Sequence, residues 1–216
     1  MAKLNHRTLA AWLRDLGDLY GLNKDYLTDL DAAIGDADHG INMARGFGML
    51  QRALAENEPE DGGALCTLAC STLIKHVGGA SGPLYGTLFM KMASHMPSPD
   101  ASAGEIPLET LVGAFTQGVE GIKKMGRSEA GEKTMLDAWI PAVQALRAAA
   151  ERGASPIEAF TEAAQAAKQG MLDTVPMTAT KGRASFLGER SVGHQDPGAT
   201  STHLMLNALA ETIARS

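Results

Sequence analysis

The 216-residue sequence predicts an all-α protein, and three observations carry that reading. Apolar residues recur three and four apart in most segments, which lines them up on one face of a helix. No run alternates apolar and polar residues between turn signals, so no strand is expected. Helix starts are marked at Ser155-Pro156 and Asp196-Pro197, where a side-chain oxygen caps free N–H groups and proline suits the first turn.

In chain order, the first stripe is Leu9, Trp12, Leu13, Leu16, Leu19 and Tyr20. A second amphipathic helix ends in a carboxylate-rich stretch, Asp31 to Gly40, which forms the turn before the next helix. Leu65, Leu68, Ala69, Leu73 and Val77 follow, and Pro83 is expected at the first position of the helix after them. Leu108, Leu111, Val112, Phe115, Val119 and Ile122 make a longer stripe. Met135, Trp139, Val143 and Leu146 continue the pattern, with Pro141 inside that helix and expected to kink it. Ile157, Phe160 and Ala164, then Leu204, Met205, Leu209 and Ile213, complete the series. Breaks fall at 57–63, 97–107 and 174–197. About eight helices with mostly short connections favour antiparallel neighbours, in a bundle or closed helical barrel, as one domain over residues 1–216.

Composition removes several function classes. Hydrophobic residues at 44% and charged residues at 20% fit an ordinary soluble globular protein. A net charge of −6 with both signs interspersed argues against a nucleic-acid surface, which needs a basic patch, and against a polybasic membrane anchor. No apolar run approaches the roughly 20 residues that span a bilayer, and Met1 to Arg7 lacks the apolar core of a signal peptide. Cys66 and Cys70, one turn apart, are read as small hydrophobes rather than a disulfide or zinc set. A cytoplasmic location is expected.

Four segments carry possible chemistry. Asp31, Asp36 and Asp38 place three carboxylates within eight residues. Crowded carboxylates repel unless a cation compensates, and hard oxygen ligands suit Mg²⁺ or Ca²⁺. The plainer alternative is that Asp36 and Asp38 make a turn and cap the next helix. An EF-hand loop is excluded, because the position that would need glutamate is Phe47. The second segment, Val77 to Pro83, is a glycine turn opening a helix, which suits a phosphate at the helix N-terminus or is simply a cap.

The third, Gly126 to Thr134, approaches the P-loop pattern but carries an extra Glu132 and follows no strand, so that reading is rejected. The fourth, Gly193 to Ser201, starts the last helix. Before it, residues 174–196 form a long stretch without clear period, bearing Lys181, Arg183, Arg190 and His194 among glycines; that composition suits closure over an anion. His39, His76 and His194 sit in no recognisable nucleophile–base arrangement.

Taken together, a carboxylate cluster, glycine turns at helix ends and a basic loop match the parts that phosphoryl transfer requires. The segments Leu30-Asp31, Ile34 to Gly40, Gly78 to Leu84, Gly131 to Met135, Lys181 to Ser185, Gly188 to Ser191 and Gly193 to Ala199 occur in order. In these the chain resembles the L subunit of bacterial dihydroxyacetone kinases, from about residue 5 to the C-terminus.

The resemblance implies a closed barrel of eight antiparallel helices with a nucleotide site at one end. It implies that Asp31, Asp36 and Asp38 hold two Mg²⁺ ions bridging to ADP or ATP. His39, Gly40, Ile41, Asn42, Ala80 and Ser81 would line the nucleotide site, with Gly126 and Met135 by the adenosine. Arg183, with a catalytic role, and Asp196, Pro197 and Gly198 would complete it. Implied partners are a K subunit that holds dihydroxyacetone covalently and a phosphocarrier M subunit that rephosphorylates bound ADP. A contact with a transcription regulator, exchange of free ATP, and another small ketose as acceptor are the alternatives that the resemblance leaves. A helical protein whose aspartates and glycines only cap helices is the remaining reading.

Overall fold

The computed structural model describes residues 4–96 and 104–216. The start of the chain, Met1 to Lys3, and residues 97–103 of the expected break at 97–107 lie outside the described residues. Among the described residues there is no strand. They form nine α-helices, where the sequence suggested about eight: α1 (His6–Leu22), α2 (Lys24–Ile34), α3 (His39–Glu56), α4 (Gly62–His76), α5 (Ser81–Ala93), α6 (Leu108–Gly126), α7 (Leu136–Glu151), α8 (Pro156–Asp173) and α9 (Pro197–Arg215). A 3-10 segment, Arg183–Ser191, lies between α8 and α9.

The helix starts follow local chemistry. Asn5 accepts a hydrogen bond from the Thr8 amide, Asp61 from Ala64, and Asp196 from Ala199. Ser155 and Glu158 form a reciprocal capping box ahead of Pro156. One proline expectation needs correction. Helix α5 begins at Ser81, so Pro83 is its third residue rather than its first; the first turn has no intrahelical N–H bonds to lose, so proline is tolerated there. Pro141 lies inside α7 as expected, and the helix continues to Glu151 without the N–H that would bond the Asp137 carbonyl.

The apolar faces meet in one principal core. Trp12, Phe89, Phe115, Trp139 and Phe160 pack ring to ring with centroids 5.8–6.1 Å apart. Offset and edge-on aromatic pairs of this kind add to the burial of large side chains. The Trp12 indole N–H donates to the Met205 carbonyl at 3.0 Å, and the Tyr20 hydroxyl donates to the Ser201 carbonyl at 2.8 Å. Both bonds tie α1 to α9. Cys66 is buried and Cys70 half-buried; both are free thiols, and burial pushes the Cys66 thiol up to about 12.

Packing partners run in sequence: α1 on α3, α3 on α4, α4 on α5, α5 on α6, α6 on α7, α7 on α8, α8 on α9, and α9 back on α1. Helix α2 lies on α3 and α9 and also meets the 3-10 segment. There Ile34, Ala179 and Ala184 make a small separate apolar cluster. The long irregular stretch is therefore partly helical, broken at Gly188 (φ 55°, ψ −127°), and docked on α2. No helix among the described residues is long and apolar enough to cross a membrane.

Candidate functional site

Asp31 stands in the last turn of α2, and the turn to α3 carries Asp36 and Asp38. One oxygen from each of the three lies within 4.8 Å of the others. Asp31 is buried and held by the turn itself: its Oδ2 accepts from the amides of Asp38 (2.8 Å) and His39 (3.1 Å). Its other oxygen sits against Gly35, where a Cβ would lie 2.0 Å from Oδ1, so only glycine allows the turn to close this tightly. Between the outer carboxylates Ala37 adopts φ 60°, a left-handed conformation unfavourable for alanine. Three hard carboxylate oxygens converging at one point fit a Mg²⁺-type cation, and Asp31 keeps one oxygen outside its amide bonds. The sole ion pair formed by these three among the described residues is Arg183 Nε to Asp36 Oδ2, 2.8 Å.

Beside the carboxylates a buried hydrogen-bond chain begins. His39 Nδ1 is 3.2 Å from Ser81 Oγ, and Nε2 is 3.0 Å from Ser201 Oγ. The Tyr85 hydroxyl also reaches Ser201 Oγ at 2.9 Å, while Ser201 donates to the Gly198 carbonyl at 3.0 Å. With its own proton on Gly198, Ser201 accepts from His39 Nε2–H and from Tyr85. His39 Nδ1 is then an acceptor for the Ser81 hydroxyl. Burial holds the His39 pKa below its ordinary value despite the opposing pull of Asp31 and Asp38, so the ring is neutral at neutral pH.

These groups border a cavity of about 280 Å³, close to the lower limit for small-ligand sites. Its walls come from helix ends and connections. Asp31, Asp36, Asp38 and His39 form one side; Gly78, Gly79, Ala80, Ser81 and Leu84 a second; Ile122, Gly126, Ser128 and Lys133 to Leu136 a third; and Lys181 to Ala184 with Asp196 to Gly198 the last. At the start of α9, burial raises the Asp196 carboxyl from 3.8 to about 7, against the lowering effect of the Ala199 amide and Lys133.

Most of the residues singled out in the sequence thus meet at one place: Asp31, Asp36, Asp38, His39, Ala80, Ser81, Gly126, Met135, Arg183, Asp196, Pro197 and Gly198. Three expected at the wall do not stand there. Gly40 packs against α2, where a Cβ would lie 2.0 Å from the Lys24 carbonyl. Ile41 points to solvent, and Asn42 turns inward to accept from Arg45 and to lie against Gly78. For Gly40 and Ile41 the cause is the 100° step per residue of a helix, which takes their side chains away from the face that His39 presents; Asn42 shares that side but lies almost a full turn further from the helix start. His76 and His194 do not border the cavity either.

Ile34, Leu84, Ile122, Ser128, Lys133 and Thr134 are wall residues that the sequence reading did not select. The apolar three look like ordinary core positions in a helical stripe. Lys133 carried a signal, the Gly-Glu-Lys-Thr segment, but a P-loop was rightly rejected there, since α6 and not a strand precedes it.

The DAK2 domain family matches residues 33–211. The chain is 42% identical over 207 residues to the PEP-dependent dihydroxyacetone kinase, ADP-binding subunit DhaL, of Escherichia coli strain K12, covering 96% of this chain and 97% of that protein. It is 46% identical over 201 residues to the ADP-binding subunit DhaL of PEP-dependent dihydroxyacetone kinase 1 of Listeria innocua, covering 93% of each. Among solved structures it is similar in fold to the dihydroxyacetone kinase of C. freundii in complex with AMP-PNP and Mg²⁺. The TM-score is 0.71 at 24% identity, over 94% of this chain and 33% of that one.

Proposed function

The chain belongs to the DAK2 domain family, among the L subunits of the dihydroxyacetone kinases, and on that premise we propose that it is the nucleotide-binding subunit of such a kinase. It holds ADP or ATP through two Mg²⁺ ions and passes a phosphoryl group to dihydroxyacetone, held covalently on a partner K subunit. A phosphocarrier M subunit regenerates ATP from the bound ADP, and the assembly is cytoplasmic. The convergence of Asp31, Asp36 and Asp38 at the edge of a cavity walled by helix N-termini carries this reading.

Asp31, Asp36 and Asp38 would hold the cations, which supply positive charge to the phosphate oxygens. The protein's own groups do the positioning. The first turns of α3 and α5 present amide N–H groups that no helical carbonyl occupies, and the dipoles there favour negative charge, whereas the first amides of α9 are taken by Asp196. In α3 these include the amides of Gly40 and Ile41, so their expected place in the nucleotide site rests on backbone rather than side chain. Asn42 supports the Gly78 turn from behind. Neutral His39 accepts from Ser81 and fixes its hydroxyl at the cavity. Arg183, at Asp36, is within reach of an anion held by the same carboxylates and offers paired N–H donors to phosphate oxygens. Leu84, Ile122, Gly126 and Met135 give the opposite wall an apolar surface suited to a purine.

The order of helix packing, with α9 returning to α1 and α2 outside, supports a closed antiparallel barrel of eight helices in one domain, with the site at one end.

Three measurements test the reading. Purified protein should carry close to one equivalent of ADP and release it on chelation, and with K and M subunits it should phosphorylate dihydroxyacetone. Mg-ADP at 100 times its Kd should stabilise the fold by about 2.7 kcal/mol. A protein that gains no stability from Mg-ADP and gives no phosphorylated triose would exclude this function.

A further inference from the structure

Lys133 is almost wholly buried, at 1% exposure, although it borders the cavity. It occupies a left-handed backbone position, φ 60°, in the turn that leads into α7. That turn is wrapped around the Asp137 carboxylate, which accepts from the amides of Gly131 (2.5 Å) and Thr134 (2.7 Å). From there the lysine side chain reaches the carbonyls that flank the 178–193 segment. Its Nζ donates to the carbonyls of Thr174 (2.7 Å), Met177 (3.2 Å) and His194 (2.5 Å), with Val175 further off at 3.4 Å.

An ammonium has three N–H donors and no acceptor. Three carbonyls within 3.2 Å use them all. The charge also sits at the C-terminal end of α8, where a helix dipole favours a cation. Lys133 thus has no donor left for a phosphate oxygen. Its acceptors instead belong to the two ends of one excursion of the chain. Residues 174–177 lead out of α8, and His194 leads back into α9; between them lies the segment that carries Lys181 and Arg183 to the cavity. Bonds from Gly193 N to the Val175 carbonyl (2.8 Å) and from Asp196 N to Thr174 Oγ1 (3.0 Å) close the same neck.

We propose that Lys133 is a positioning residue, whose buried ammonium locks the neck of the 174–194 excursion and so sets Arg183 and the start of α9 on the nucleotide. The inference rests on the nucleotide-binding reading above, and its test separates the two.

Lys133→Met keeps the stem and removes the ammonium. In ligand-free protein, amide exchange over 178–193 should rise about tenfold or more, with α1 and α4 unchanged. Mg-ADP affinity should fall about tenfold or more, as expected when hydrogen bonds to a charged group are lost. In an Arg183→Ala background the same change should weaken Mg-ADP far less, because Lys133 acts through that arginine. Lys133→Gln keeps two N–H donors and should fall between; it carries the test if the methionine variant does not fold. Unchanged exchange over 178–193 overturns the proposal. So does weaker Mg-ADP binding without faster exchange, which would make Lys133 a direct ligand, and so does faster exchange with full affinity. Failure of the wild-type chain to bind Mg-ADP would sink the nucleotide reading, while the exchange data would still decide whether the lysine locks the neck.

Discussion

Arg183 Nε lies 2.8 Å from Asp36 Oδ2, a contact that joins the basic segment before α9 to the carboxylate turn after α2 across about 150 residues of chain. Both side chains are partly exposed, at 67% and 35%, so the pair contributes little to folding. Its meaning is positional: the arginine is stationed where the carboxylates converge.

Arg183→Ala should therefore leave stability within about 1 kcal/mol of wild type. Mg-ADP affinity and phosphoryl transfer should drop about tenfold or more, since a bidentate donor pair is lost. Arg183→Lys should not restore them, because an ammonium cannot reproduce the planar fork. Thermal melts beside ligand titrations decide it: a large loss of stability with full affinity would overturn the assignment.

The three carboxylates should divide by their second roles. Asp36 is exposed and makes no bond within the turn, so Asp36→Ala should abolish nucleotide retention while the fold stays intact. Asp31 caps the amides of Asp38 and His39, so Asp31→Ala should also destabilise the protein, by about 1–3 kcal/mol for the buried donors left without a partner. Circular dichroism melts alongside nucleotide content give the comparison. Equal retention of ADP by wild type and both variants would count against the cluster as a cation site.

Gly40→Ala should act on packing before it acts on binding. The new Cβ would fall 2.0 Å from the Lys24 carbonyl, a backbone atom that cannot swing aside. Separation of α2 from α3, with a stability loss of about 1–3 kcal/mol, is expected from overpacking. Nucleotide affinity should then fall with stability rather than ahead of it. An alanine variant of wild-type stability that fails to bind would reverse that order.

Stability should depend on pH through Asp196. Its carboxyl is raised in the folded protein from 3.8 to about 7, chiefly by burial. An acid with a raised folded value binds its proton more tightly when folded, so its favourable contribution is complete below pH 3.8. The contribution is lost as pH climbs to about 7. Asp196→Asn can still cap Ala199 through its amide oxygen but cannot ionise. Across that window wild type should lose on the order of a few kcal/mol relative to the variant, with no further change above it. Parallel denaturant curves for both proteins check this; a constant difference between them across the window would refute it.

The helical class, the stripes of Leu9 to Tyr20 and Leu108 to Ile122, and the caps at Ser155 and Asp196 were all readable from sequence. Periodicity and capping are local, governed by residues a few positions apart. The carboxylate cluster was readable for the same reason, since Asp31, Asp36 and Asp38 fall within eight residues. What lay beyond reach depended on contacts across the chain. The Gly-Glu-Lys-Thr segment could be refused as a P-loop, yet nothing near Lys133 in sequence reveals that its ammonium ends among carbonyls of residues 174, 177 and 194. Likewise Leu84 and Ile122 look like any other core positions until α5 and α6 are set against the cavity. The sequence alone therefore determined which helices form and which residue types gather at their ends. Only the tertiary structure decided which way each side chain faces, because a buried charge or an apolar wall is satisfied by whatever distant group the packing brings to it.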